Sequence, residues 1–401
     1  MTGCSGAAGQ AKTITLGEVL RAGLPVFRKT HRLPEHHWKV LRALCACHTE
    51  GLGGHLYRCQ NCGQEHFAPN GCGNRHCPSC QKLQSARWLD RQMELVLPIP
   101  YFHVVFTLPH SLNPLIQHNQ KGLYDLLFAS ASATLLEFGR NNLRATLGIT
   151  AVLHTWSQNL LGHYHLHCVV TGGGLSLEGK RWIARSPKWL FPIRALSMVF
   201  RAKFRDGLQN LFAQGRLKFP KAEPALADRM EFGRWLEGIC ARDWVVFTKR
   251  PFAGPKAFLG YLCRYTHRVA ISNKRLEKLD LARGTVRFSY KDYAREGRIG
   301  SMTLALDQFV RRFILHILPS RFVKMRHYGL LSNRDRTNRI AQARALLAEG
   351  CTGATEPALE QTPSIQPVEA PPLVCPYCGQ PTLVLVGSIP RPKAVRIYDS
   401  S

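Results

Sequence analysis

Acidic side chains are in short supply in this 401-residue sequence. Asp and Glu together number 26, against 54 Lys and Arg, so the formal net charge is +28. A chain this basic favours a polyanionic partner, and nucleic acid is the commonest one. An acidic membrane surface is the weaker alternative, because the sequence has no long Lys-rich amphipathic helix and no lipidation motif.

Long apolar runs are also missing. No run approaches the roughly 18 residues that a membrane span requires, and the first residues, MTGCSGAAGQAKT, lack the charged start and apolar centre of a signal peptide. We therefore expect a cytoplasmic protein with no membrane partner. Thiols stay reduced in that compartment, so the 14 cysteines indicate metal binding rather than disulfides, provided that their spacing agrees.

A histidine-rich stretch, HTWSQNLLGHYHLHCVVTGGGL, runs from His154 to Leu175. If residues 163–170 form a strand, alternation places His163, His165 and His167 on one face and apolar side chains on the other. Imidazoles at i and i+2 can hold one divalent metal. We expect the glycines at 172–174 to end the strand. A strand with a solvated histidine face is the alternative.

The densest Cys/His cluster covers residues 45–80. It contains two Cys-x2-Cys hooks, Cys59/Cys62 and Cys77/Cys80, and such paired hooks can present four thiolates to one zinc ion. Four further residues, Cys47, His55, Cys72 and His76, are enough for a second site, with His48 and His66 as spare candidates. We expect one or two structural zinc ions, whose binding supplies much of the local folding energy.

Basic residues accompany these predicted zinc ligands. Arg75, Lys82 and Arg87 are candidates for phosphate contacts, and a merely solvated basic face is the alternative. We expect the same role for Arg326 and Arg334, in a basic segment that follows a predicted helix within residues 302–334.

Mixed periodicities predict the fold class. Strands are expected at 101–108, 150–156, 163–170, 244–248 and 286–290, and helices over 121–145 and 193–216. Residues 14–50 read as helical, with breaks at Pro25 and Pro34. Because the strands lack regular βαβ spacing, the pattern favours an α+β fold with a largely antiparallel sheet flanked by helices.

Two tyrosines lie four residues apart in YLCRYTHR. On a helix, Tyr261 and Tyr265 would share one face, with Arg264 and Arg268 nearby. Ordinary packing accounts for most such pairs. Further along, residues 350–372 read as a flexible linker, Cys375 and Cys378 form half of a zinc site, and we expect disorder beyond about residue 385.

Taken together, these motifs resemble the insertion-sequence-ninety-one family of rolling-circle HUH transposases. The HUH motif, His–bulky apolar–His, matches His165-Leu166-His167. It is preceded by GLGGHLYRC, NRHCPSC and YFHVVFTLP and followed by YLCRYTHRVAISN and RHYGLLSNR, in the family's order. The family's two catalytic tyrosines fall on Tyr261 and Tyr265. Tyr164 departs from the pattern, since relatives usually have proline there.

The resemblance implies a catalytic cycle. Tyr261 or Tyr265 would attack a phosphodiester of single-stranded DNA and form a 5′-phosphotyrosine, assisted by Mg²⁺ or Mn²⁺ at His165 and His167. A third ligand would be His163, with Gln158 or His154 also possible. Arg264 and Arg268 would offset transition-state charge. The partners would be element ends, target DNA and host replication machinery or helicase, in the bacterial nucleoid.

The resemblance also suggests four segments: an N-terminal zinc-binding DNA-recognition domain (1–95), an HUH catalytic domain (96–300), a basic helical segment (301–349), and a linker with the Cys-x2-Cys knuckle and a disordered tail (350–401). Three other functions remain open. The chain could be a rolling-circle replication initiator or relaxase, a non-catalytic zinc-dependent DNA-binding regulator, or a hydrolase whose histidines activate water.

Overall fold

The computed structural model describes residues 13–81, 96–185, 190–249, 269–292, 295–350 and 373–392. Helices within these ranges are α1 (Leu16–Thr30), α2 (Glu35–Ala46), α3 (Asn113–His118), α4 (Gln120–Leu143), α5 (Ile193–Ala213), α6 (Arg229–Cys240), α7 (Leu306–Ile314) and α8 (Arg336–Gly350). None of these described helices is both long and apolar enough to cross a membrane.

Strands in the same ranges are β1 (Gly54–Cys59), β2 (Glu65–Pro69), β3 (Tyr101–Thr107), β4 (Ala145–Trp156), β5 (Gly162–Ser176), β6 (Trp182–Ala184), β7 (Val246–Lys249), β8 (Leu276–Asp280), β9 (Thr285–Asp292), β10 (Arg298–Ala305), β11 (Met325–Gly329) and β12 (Leu383–Ile389). Every strand pairing among them is antiparallel. The predicted α+β class with antiparallel sheets is confirmed.

The described residues divide into two compact units. One comprises the described parts of 1–81, 271–311 and 355–401, and the other comprises the described parts of 82–270 and 312–354. The four contiguous segments suggested by the sequence do not follow this division, because the first unit is assembled from three separated stretches of chain. Its C-terminal stretch contributes a strand to an N-terminal sheet.

The first unit contains two three-stranded sheets, ordered β12-β1-β2 and β10-β9-β8. Helix α1 begins with a capping box, in which the Thr15 hydroxyl accepts from the Glu18 amide and the Glu18 carboxylate accepts from the Thr15 amide. The predicted break at Pro25 is wrong, since α1 continues to Thr30. Buried Leu20 and Phe27 on either side of the proline hold both halves against the core.

The second unit is built on a six-stranded sheet. Five strands run in the order β11-β4-β5-β3-β7, and β6 pairs with β5. Fully buried side chains of α4 and α5, such as Leu127, Phe128 and Phe200, belong to one hydrophobic core with Leu166 and Cys168 of β5. These helices therefore shield one face of β5 and leave its alternate residues to the opposite face.

The glycine triplet does not end β5, which runs to Ser176. A Cβ atom at Gly172 would lie 2.7 Å from the Pro100 carbonyl oxygen, and one at Gly174 would lie 2.5 Å from that of Thr146. The triplet therefore allows neighbouring backbone to approach closely, which is one reason for glycine within a strand. The prediction that these glycines end the strand considered only the tendency of glycine to form turns.

Two other expectations near the C-terminus are corrected. Residues 302–305, predicted as helix, complete β10, and the helix begins at Leu306. Residues 386–389, which belong to the tail expected to be disordered, lie in β12, and β12 pairs with β1 from Gly54↔Ile389 to Cys59↔Leu383. Local sequence gave no sign of that partner, because β1 lies more than 300 residues earlier in the chain.

Candidate active site and cysteine clusters

The histidine strand has the two faces that alternation predicts. His163, His165 and His167 are half-buried, whereas Tyr164, Leu166 and Cys168 on the opposite face are fully buried. Tyr164, which differs from the family's proline, thus serves as a core side chain. The core fixes the register of β5 and thereby directs the histidines to the other side.

A histidine of the neighbouring strand β4, His154, joins this face. β4 pairs with β5 so that His154 lies opposite His165 and Val152 opposite His167. One ring nitrogen from each of His154, His165 and His167 lies within 4.8 Å of the others. His154 is only 2% exposed, and its ring stacks on Trp156 at 4.7 Å between centroids. These contacts hold three imidazoles where they can share one cation.

Hydrogen bonds at Nδ1 orient two of these rings. The Nδ1–H of His165 donates to the carbonyl oxygen of His163 over 2.9 Å. Nδ1 of His167 lies 2.8 Å from Nε2 of His103. Metal-binding histidines commonly donate their other ring N–H to such a group, which selects the tautomer. Here that arrangement would present Nε2 of His165 and His167 to the cation.

His103 comes from β3 and was not among the residues predicted for the site. It is 3% exposed, and burial, with a smaller effect of the Lys249 charge, lowers its pKa to about 4. The ring is therefore neutral at physiological pH, and its Nε2 can accept a hydrogen bond from His167. The sequence places His103 in the predicted strand YFHVVFT, but only the pairing of β3 with β5 brings its ring beside His167.

His163, the first candidate for the third ligand, lies beside the cluster. Its ring is 4.7 Å from that of His165 and stacks on His110 at 5.3 Å. Burial, followed by the neighbouring His110, lowers the pKa of His163. It also lines a cavity of about 720 Å³ with Trp235 and Trp244. Among the described residues, the three histidines whose ring nitrogens converge are His154, His165 and His167, so His154 takes the position expected for His163.

The predicted tyrosine pair lies outside the described residues. This applies to Tyr261 and Tyr265, to Arg264 and Arg268, and to the DNA-binding candidates Lys82 and Arg87.

The remaining DNA-binding candidates differ in their surroundings. Arg334 is exposed. Arg75 is half-buried, and burial lowers its pKa. Arg326 forms an ion pair with Asp125 and lies over the Phe128 ring at 4.2 Å. Its guanidinium is thus already engaged within the second unit.

Two clusters of four cysteines lie in the first unit. The first comprises Cys47, Cys72, Cys77 and Cys80. Sulfur–sulfur distances in it are 3.4 Å for Cys47–Cys77, 3.6 Å for Cys47–Cys80 and 3.8 Å for Cys72–Cys80. A tetrahedral zinc ion with Zn–S bonds of about 2.3 Å separates its sulfurs by about 3.8 Å. The cluster therefore fits a closed zinc site.

The second cluster comprises Cys59, Cys62, Cys375 and Cys378. The two hooks predicted to share one ion, at Cys59/Cys62 and Cys77/Cys80, thus belong to different clusters. Within the described chain, His55 and His76 contribute to neither cluster. The Cys375/Cys378 knuckle, which had no partner in the sequence, supplies the missing half of the second cluster.

Comparison with known proteins gives several matches. The chain is 46% identical over 320 residues to "Putative transposase y4qJ" of Sinorhizobium fredii, covering 79% of this chain and 80% of that protein. It is 30% identical to the transposase for insertion sequence element IS801 of Pseudomonas savastanoi pv. phaseolicola, covering 74% and 70%. A metal-bound structure of the conjugative relaxase TrwC with oriT DNA covers 62% of this chain and 72% of its own, at 17% identity and a TM-score of only 0.24.

Two family models match consecutive parts of the chain. The model described as "Transposase zinc-binding domain" matches residues 19–108, and the one described as "Putative transposase" matches residues 148–339. The first includes the whole of the Cys47 cluster but only half of the second cluster. With the 46% identity over most of both chains, these matches establish that the chain belongs to the insertion-sequence-ninety-one family of transposases and carries its zinc-binding domain.

Proposed function

We propose that this transposase nicks and rejoins single-stranded DNA by the HUH mechanism and moves its element by a rolling-circle route. The supporting observation is the convergence of His154, His165 and His167, whose ligand nitrogens lie within 4.8 Å of one another. Two of these residues form the His-x-His motif, and the third is brought in by strand pairing.

In this proposal the three imidazoles would hold a divalent cation, which would supply Lewis-acid polarisation of the scissile phosphate. His103 and the carbonyl group of His163 orient the rings of His167 and His165. The donor set consists of nitrogen atoms, which suit transition-metal ions better than Mg²⁺. Of the two ions expected from the family resemblance, Mn²⁺ is therefore the better match for these residues.

Tyr261 or Tyr265 is the proposed nucleophile. The phenol gives up one proton and its oxygen forms a bond to phosphorus. The phosphorus–O3′ bond breaks and the leaving oxygen takes up one proton, which gives a 3′-hydroxyl and a 5′-phosphotyrosine. A free 3′-hydroxyl can reverse this step without ATP, since the phosphodiester is conserved in the protein–DNA linkage. Arg264 and Arg268 would offset charge on the transferring phosphate, and a second tyrosine permits a second cut while the first strand is held.

The strongly basic chain supplies the affinity for DNA. With a net charge of +28, binding should fall steeply as salt increases, because each neutralised phosphate releases counterions. We assign recognition of element ends and target to the zinc-binding domain and the C-terminal basic segment, with Arg75, Lys82, Arg87 and Arg334 as phosphate contacts. Host replication would provide the single strands.

The test is formation of a covalent adduct. Purified protein is incubated with labelled single-stranded oligonucleotides from both element ends, with Mn²⁺ or Mg²⁺, and then denatured. We expect a retarded protein–DNA band that disappears in Tyr261→Phe/Tyr265→Phe. In His165→Ala/His167→Ala the band should fall by about 100-fold, because loss of two ligands should cost at least as much as loss of an outer-shell partner, which lowers metal affinity by about 10–100-fold.

Two variants serve as matched controls. Tyr290→Phe removes a phenol from β9, and His118→Ala removes an exposed imidazole from α3. Both should form the adduct as the unmodified chain does. Specific binding of the end oligonucleotides without any adduct would contradict the proposal and would favour a non-catalytic DNA-binding role.

A further inference from the structure

The second cysteine cluster contains two knuckles with the same backbone hydrogen bonds. In Cys59-Gln-Asn-Cys62-Gly63, the Gly63 amide donates to the Cys59 carbonyl over 2.9 Å and the Cys59 amide donates to the Gln64 carbonyl over 2.9 Å. In Cys375-Pro-Tyr-Cys378-Gly379, the Gly379 amide donates to the Cys375 carbonyl over 2.9 Å and the Cys375 amide donates to the Gln380 carbonyl over 2.8 Å. Two equivalent tight turns therefore face each other.

Glycine is needed at the end of each knuckle. Gly63 has a φ of 71° and Gly379 a φ of 74°, in the left-handed region where side chains are disfavoured. This conformation turns the chain back so that both cysteines of a hook point to the same place. The two hooks lie over 300 residues apart in the chain and have the same backbone hydrogen bonds and glycine conformation. This match indicates a common binding site rather than chance proximity of free thiols.

The sulfur atoms have the separations of a zinc tetrahedron. Sγ of Cys59 lies 3.6 Å from that of Cys378, and Sγ of Cys62 lies 3.7 Å from that of Cys375, close to the value of about 3.8 Å expected for four thiolates on one ion. The Thr382 hydroxyl lies 3.1 Å from the Cys59 sulfur, and the Asn61 side-chain amide lies 3.7 Å from the Cys378 sulfur. Both can donate to thiolates.

The chain around the cluster is adapted to this closure. The first knuckle is the turn between β1 and β2, and the second leads into β12, which pairs with β1. The Gln60 amide donates to the Thr382 carbonyl over 3.0 Å. At the other end of the strand pair, a Cβ atom on Gly53 would lie 2.3 Å from the Ile389 carbonyl oxygen. Only glycine there admits the C-terminal segment.

We propose that Cys59, Cys62, Cys375 and Cys378 bind a second structural zinc ion that fastens the C-terminal segment to the N-terminal zinc-binding domain. The two family models end at residues 108 and 339, so half of this site lies beyond both. The ion holds β12 as the third strand of the β12-β1-β2 sheet. The proposal does not depend on the nuclease mechanism proposed above.

Zinc content provides the first test. Full-length protein freed of loosely held metal should contain two zinc ions per chain by inductively coupled plasma mass spectrometry. Cys375→Ser/Cys378→Ser and Cys59→Ser/Cys62→Ser should each contain one, and the quadruple variant should also contain one, since all four cysteines serve the same ion. Cys240→Ser, a half-buried cysteine of α6 outside both clusters, is the matched control and should contain two.

Thiol protection provides a second test, which needs no substitution. The zinc-loaded chain is alkylated with and without a chelator, and each cysteine is followed by peptide mass spectrometry. We expect Cys59, Cys62, Cys375 and Cys378 to be protected together and exposed together. Equal alkylation of Cys375 and Cys378 with and without chelator would overturn the proposal, as would two zinc ions in the Cys375→Ser/Cys378→Ser variant or none in the quadruple variant.

Discussion

Replacement of His103 tests whether the hydrogen bond behind the histidine cluster prepares it for metal. His103→Leu removes the nitrogen that lies 2.8 Å from Nδ1 of His167 and leaves a side chain of similar bulk in a position that is 3% exposed. His103→Gln keeps an acceptor, because the amide oxygen of glutamine can occupy the place of Nε2. The pair of variants separates the hydrogen bond from packing.

The expected magnitude follows from the geometry. Loss of a hydrogen bond to the other nitrogen of a metal-binding histidine reduces metal affinity about 10–100-fold, or about 1.4–2.7 kcal/mol at 1.36 kcal/mol per factor of ten. The effect should fall in this range for His103→Leu, since the bond is short and His103 is buried. His103→Gln should stay within about threefold of the unmodified chain.

The assay is a Mn²⁺ titration by isothermal calorimetry, with adduct formation measured over the same range of Mn²⁺ concentration. His103→Leu should need more Mn²⁺ for half-maximal adduct and approach the same plateau. His327→Leu is the matched control. His327 is half-buried, its Nδ1 lies 2.9 Å from the Thr150 hydroxyl, and its strand β11 pairs with β4 rather than with β5.

Two results would contradict this role of His103. Equal Mn²⁺ affinity in His103→Leu and the unmodified chain would show that the bond does not orient His167. Equal weakening in His103→Leu and His103→Gln, with an unchanged melting temperature, would show that the histidine acts through something other than its acceptor.

Three further predictions concern stability. Burial lowers the pKa of His316 to about 4, below its ordinary 6.5. As pH falls, the unfolded chain therefore takes up the proton before the folded chain does, and the free energy of unfolding should fall by about 2 kcal/mol from pH 7.5 to pH 5. Urea titrations at several pH values should show a smaller decrease of this free energy in His316→Gln. Gly174→Val should lower the melting temperature by several degrees, because even a Cβ there would lie 2.5 Å from the Thr146 carbonyl oxygen. Asp228→Ala removes the N-cap of α6 and should reduce the unfolding free energy by about 1 kcal/mol in urea titrations. Asp228→Ser keeps a capping oxygen and should lose less unfolding free energy than Asp228→Ala.

Much of the histidine site could be inferred from sequence because its pattern is local. The alternation of His163 to Cys168 alone predicts which side chains enter the core, and burial confirms it. The third imidazole was harder to predict, because eight residues, including a turn, lie between His154 and His163. The register of β4 against β5 decides which residue of β4 lies opposite His165. His103 required the pairing of β3 with β5 as well.

The charge, the two faces of β5 and the positions of three Cys-x2-Cys hooks can all be read from the sequence, since each depends on composition or on spacings of a few residues. Which hooks share a cluster depends on the folded chain. Cys59 and Cys378 are 319 positions apart, yet their sulfurs lie 3.6 Å from each other. Every hook has the same local chemistry, so the choice of partner rests on strand pairing that brings β12 beside β1.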